Sequence, residues 1–197
     1  MRNRSPARSK NASDKRPLNS ERSLHGSLGT SACNYSNELS PQVNVTIVDF
    51  SETMIAVLEH RGSHTLVMDS VRKFIDWRKQ SGLSPVASSH TFGIAYDDPA
   101  VTLPEAFCFD VCGEVKQPVP ANSQGVVNKR IPEGRCAVVR HIGSTDRISD
   151  SVYYLYREWL PESSEELRDF PLFFHYIKRV PETPEHEQVT DVYLPLV

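Results

Sequence analysis

Six aromatic residues, Tyr96, Phe107, Tyr153, Tyr156, Phe174 and Tyr176, are the side chains of this sequence best suited to holding another molecule. Aromatic faces stack on planar apolar compounds, and a tyrosine adds a hydrogen-bonding tip. Groups suited to reaction chemistry are fewer. His60 and His141 each stand two residues before a glycine. A metal shared between them needs further ligands, and neither has a cysteine or carboxylate at ligand spacing. Each is therefore expected to pack or hydrogen-bond beside its glycine turn. Asp97, Asp98 and Glu105 cluster in sequence, but Asp-Asp-Pro is ordinary turn chemistry. Nucleophile elbow, phosphate loop, zinc-binding helix and Ser-His-Asp order are all missing from the sequence. The expectation is a site that binds without catalysing, with no metal and no cofactor.

The two histidines belong to a longer repetition. HIGSTDRISDSVYYLYREW, from His141, restates HRGSHTLVMDSVRKFIDWR, from His60, at one fixed offset and without gaps. In the register that sets His60 on His141, the residues Ala56, Val57, Gly62, Ser63, Asp69, Ser70 and Val71 also meet identical residues in the second copy. Internal repetition at a fixed period marks a repeated structural unit. Two copies are too few for a solenoid, so they suggest duplicated halves packed about a pseudo-two-fold axis.

The elements around the repeat are short. Val43–Asp49 and Met54–Glu59 read as strands. Ser63 is the expected N-cap of a helix with the apolar stripe Val67, Val71, Phe74, Ile75, which Gly82 stops. The second copy has Ile148, Val152, Leu155, Tyr156, Trp159 in the same register, with Pro161 as its stop. Tyr156 lies in that stripe and Tyr153 beside it, so Tyr153 is the better groove-wall residue of the two. Thr91–Tyr96, Phe107–Val115, Val126–Ile131, Arg135–Arg140, Leu172–Ile177 and Asp191–Leu196 complete the strands. Each half reads strand–helix–strand–strand. The fold class is α+β, with antiparallel sheets and one main helix per half. The crease between the halves, residues 43–124 and 125–197, is the expected groove.

Residues 1–42 differ from the rest. They carry a net charge of +4 against −7 for the remainder, and they have no apolar period. This stretch reads as a disordered basic arm or linker, with a weak contact to polyanions as its expected functional use. It shows no helix-turn-helix pattern, so in a regulator built on this domain the DNA-binding part is expected to lie on another chain or to have been lost. No run approaches the length of a membrane span, and no secretory signal is expected. The four cysteines match no zinc or redox spacing and suit a reducing cytoplasm.

GIAYDDPAVTLPEAFCFDVCGEV, NKRIPEGRCAVVRHIGS and the tail FPLFFHYI…TDVYLPL resemble the GyrI-like small-molecule-binding domain over roughly residues 43–197. That family includes the effector-binding part of AraC-type and some MerR-type regulators, and stand-alone DNA gyrase inhibitory proteins. The resemblance implies the duplicated unit inferred above, with ligands that are amphipathic, aromatic or cationic lying between the halves. It implies as partners a small hydrophobic or amphipathic molecule and, as an alternative role, DNA gyrase. A further branch hydrolyses reactive small molecules. This chain departs from the pattern in two places. Gly62 and Gly143 precede Ser63-His64 and Ser144-Thr145 instead of Pro-Tyr. The tail pattern Pro-x-x-Glu-x-Tyr is matched at Pro171 and Tyr176, but its glutamate position holds Phe174. A buried carboxylate is costly unless a cation meets it. With Phe174 in that place, a more apolar ligand is expected, and hydrolysis loses its groove carboxylate.

Overall fold

Two strands run into the two histidine–glycine turns, β2 over Thr53–Arg61 and β6 over Gly134–Ile142, and their starts are related by the offset that carries His60 onto His141. The same offset separates the short turns His64–Leu66 and Thr145–Arg147. It separates the starts of the helices α1 (Val67–Ser81) and α2 (Ile148–Tyr154), and the strands β4 (Cys108–Glu114) and β8 (Val189–Pro195). The remaining strands are β1 (Val45–Phe50), β3 (Thr91–Ala95), β5 (Val127–Ile131) and β7 (Phe173–Lys178). This computed structural model describes residues 44–179 and 182–197. The basic arm expected over 1–42, with its polyanion contact, lies outside the described residues.

The turns repeat atom for atom. His60 Nδ1 lies 2.9 Å from Ser70 Oγ, and its Nε2 lies 3.0 Å from the Ser63 carbonyl oxygen. His141 makes the same two contacts, with Ser151 Oγ at 3.1 Å and the Ser144 carbonyl at 2.9 Å. A carbonyl only accepts, so Nε2 carries the proton in each ring, and in the neutral ring Nδ1 accepts from the serine hydroxyl. Both histidines are buried polar groups with every ring nitrogen engaged, which is the packing role expected of them. Gly62 and Gly143 turn at φ 123° and 117°, a region that favours glycine. Their amides donate to the Phe107 and Gln188 carbonyls, which are themselves related by the offset of the repeat.

All eight strands form one antiparallel sheet in the order β1-β6-β8-β7-β3-β4-β2-β5. Exchanging β1 with β5, β2 with β6, β3 with β7 and β4 with β8 returns the same order reversed. The halves meet at the β3–β7 pair, where Gly93 faces Phe174. β1 precedes β2 in the chain but pairs with β6, while β5 precedes β6 and pairs with β2. Each half therefore lends the other an edge strand.

Alternation along the strands sorts the side chains onto two faces. On one face α1 packs on β2 and β4 while α2 packs on β6. Phe74 and Trp77 of α1 meet Ala56 and Val111, and Leu155 after α2 meets Ala137, Val139 and Val192. Phe109 touches both of these clusters. The other face buries Ile55, Val57, Phe92, Ile94, Ile131, Val138 and Phe173 together, so residues from both halves share one core there. Burial of each such side chain contributes on the order of 2 kcal/mol.

The second helix ends differently from the expectation. It does not stop at Pro161 but widens into a π-helical segment, Leu155–Trp159, and closes with Leu160–Glu162 (α3). Pro161 has no N–H and its ring crowds the carbonyl four residues back; the widened turn, in which the Leu160 amide reaches the Leu155 carbonyl, lets the helix include it. Gly82 ends α1 as expected. Among the described residues no helix is long and apolar enough to cross a membrane.

Candidate functional site

β3 and β7 occupy the middle of the helix-bearing face, between the strands on which α1 and α2 pack. Three rings gather there. Phe174 of β7 lies nearly parallel to Phe109 of β4, with centroids 6.3 Å apart and planes 27° apart. Tyr176 follows two residues along the same strand face, its centroid 6.3 Å from Phe174. Gly93 of β3 makes the gathering possible. A β-carbon at that position would lie 2.5 Å from Phe109 Cζ and 3.0 Å from the Tyr176 hydroxyl, so any side chain there would push the rings apart. Phe174 is 7% exposed. Burial raises the Tyr176 phenol above its ordinary pKa.

Tyr153 and Tyr156 come from the second helix. The Tyr153 hydroxyl donates to the Asp98 carboxylate at 2.9 Å, and the Arg157 guanidinium sits 4.0 Å above its ring. Asp98 stands in the β3–β4 loop of the first half, so this bond joins the halves. Asp97 and Asp98 serve the loop as turn residues: Asp97 accepts from the Cys108 amide and Asp98 from the Ala100 amide. Tyr156 lies in the π-helical segment and is 38% exposed, although its place in the apolar stripe predicts burial.

The other two predicted residues lie elsewhere. Tyr96 extends the alternation of Phe92 and Ile94 and so faces away from both helices. Its hydroxyl donates to the Asp110 carboxylate at 2.8 Å. Lys129 Nζ at 2.6 Å and Arg61 Nη1 at 3.1 Å bond the same fully buried carboxylate. Burial and the Asp110 bond push the Tyr96 phenol up to about 12. Phe107 is buried under the first histidine turn, against the rings of His60 and His64 at 6.2 and 6.0 Å. The structure thus brings Phe174 and Tyr176 together with Phe109, sets Tyr153 in a bond that joins the halves, and places Tyr96 and Phe107 apart. Sequence reasoning misses Phe109 because Phe107 shares its strand parity. Val111 and Gly113, which share that parity too, mark the face but not which aromatic reaches the centre.

Two shallow cavities lie away from the three rings. One, of about 230 Å³, is lined by Trp77, Leu83, Val119, Pro120 and neighbouring amide side chains. The other, of about 190 Å³, lies beside Met54, Pro118 and Lys129. Neither touches the six predicted aromatics. Among the described residues no group of three or more His, Cys, Asp or Glu is arranged to hold a metal.

The chain is 50% identical over 154 residues to the probable transcriptional regulator YgiV of Escherichia coli (strain K12), an alignment covering 78% of this chain and 96% of that protein. Its fold matches the EcmrR C-terminal domain with a TM-score of 0.64 at 14% identity, covering 79% of this chain and 98% of that one. A hydrolase from Listeria innocua matches with a TM-score of 0.56 at 12% identity, covering 81% and 94%. The model of the GyrI-like small molecule binding domain matches residues 43–197, and the chain belongs to that family.

Proposed function

We propose that the domain binds small apolar or amphipathic aromatic molecules over β3 and β7, between the helices, without catalysis, and that it senses an effector in transcription regulation. The carrying observation is the cluster of Phe109, Phe174 and Tyr176 over the bare backbone of Gly93, where strands of both halves meet. A molecule seated there touches both halves at once and so can bias their arrangement. The likeness to a probable transcriptional regulator supports the regulatory part. Hydrolysis, another role implied by the family resemblance, lacks its groove carboxylate, because Phe174 holds that position.

Thermal unfolding against a panel of hydrophobic aromatic dyes and drugs tests the reading. A compound present at about 100 times its Kd stabilises by about 2.7 kcal/mol, which raises Tm by roughly 5–10 °C in a domain of this size. A broad panel that never moves the melting temperature removes the support for ligand binding.

A further inference from the structure

Among the described residues the Tyr176 hydroxyl forms no hydrogen bond; it lies over Gly93 on a half-buried side chain. Its surroundings are the faces of Phe174 and Phe109 and the backbone of β3. A hydroxyl without a protein partner, set between apolar rings, is free to donate to an incoming acceptor. The three rings offer a planar apolar surface but no carboxylate, and Asp98 at Tyr153 is already engaged by that hydroxyl. A cation entering the cluster would lose water without meeting a counter-charge.

We infer that Tyr176 selects neutral planar aromatic ligands bearing one hydrogen-bond acceptor, a ring nitrogen or carbonyl oxygen, to which its hydroxyl donates. This deepens the binding reading above and rests on it. The ligand's rings would stack against Phe109 and Phe174 while its acceptor takes the phenol proton in a hydrogen bond; no covalent step is involved. Phe174 withholds the counter-charge a carboxylate there would supply to a cation, and Tyr176 separates acceptor-bearing rings from plain hydrocarbons.

Three probes of nearly one shape test this: naphthalene, quinoline and N-methylquinolinium, titrated into the full chain at pH 8, where quinoline is uncharged. They are compared for the parent protein and Tyr176→Phe. Among the described residues the hydroxyl has no partner to lose, and equal urea midpoints for the two proteins verify that the variant folds. The variant is expected to weaken quinoline about fivefold, the worth of one net hydrogen bond, and to leave naphthalene within about twofold. N-methylquinolinium is expected to bind the parent more weakly than quinoline. If Tyr176→Phe weakens quinoline and naphthalene alike, or changes neither, the hydroxyl does not select and the inference is overturned while the binding reading stands. Tightest binding by the cation overturns it too. If none of the three binds, the binding reading fails and takes the inference with it.

Discussion

Phe174→Glu is expected to destabilise the domain by about 3–5 kcal/mol and to shift ligand preference at least about tenfold toward cations. Phe174 is 7% exposed and packs with Phe109, Leu155 and Val192. Glutamate there removes a ring from that cluster and buries a charge among apolar neighbours, with no cation in the cluster among the described residues. A ligand cation supplies the missing partner, so the cost of the carboxylate becomes a gain in the complex. Burial also raises the pKa of the new carboxyl, so its folded form binds a proton more readily than its unfolded form. The deficit should therefore shrink as pH falls. Urea unfolding at two pH values and titration with quinoline and N-methylquinolinium measure both effects. Equal loss of affinity for neutral and cationic probes would contradict the account of Phe174.

The second large effect is a loss of stability by about 2–3 kcal/mol as pH falls from 6.5 to 4, due to one histidine. His175 of β7 lies on the face away from the helices. Its Nε2 is 2.9 Å from Nδ1 of His90, and its ring is 4.7 Å from that of Phe92. Burial first, and then the like charge of His90, push its pKa down to about 4; Arg179 acts in the same direction, while Asp191 and Glu114 oppose it. Between pH 6.5 and 4 the unfolded chain thus binds a proton that the folded chain refuses. The stability due to neutral His175 is complete above the unfolded pKa and is lost as pH falls toward the folded one. The stated range is discounted for the partial solvent access of the site. His175→Gln should flatten this part of the profile, because glutamine does not titrate. Urea midpoints at pH 7 and pH 4.5 for both proteins decide it, and parallel profiles would show that His175 is not the group responsible.

The sequence carried much of the fold in its repetition. The fixed offset visible in His60 and His141 extends to the ends of β2 and β6 and to Asp110 and Asp191. Sheet order was less legible, because the exchange of β1 and β5 between halves rests on pairings far apart in the chain and carries no local signal. The site was legible as residue types rather than as a place. Tyr96 illustrates the limit: β3 is buried on both faces, so its alternation gives parity without saying which face bears the helices. The hydrogen bond from Tyr96 to Asp110 needed a carboxylate on the neighbouring strand and a lysine on β5. Gly93 reads as a weak position in a strand; only the approach of Phe109 and Tyr176 shows what the missing side chain makes room for.

A guest molecule is expected to sit where the two halves join. A crystal structure of the full chain with quinoline, or with the compound that most raises Tm, tests it most directly. The compound's ring is expected against Phe109 and Phe174, with its acceptor within hydrogen-bond reach of the Tyr176 hydroxyl. A compound seated instead in the cavity beside Trp77, with the three central rings undisturbed, would contradict it.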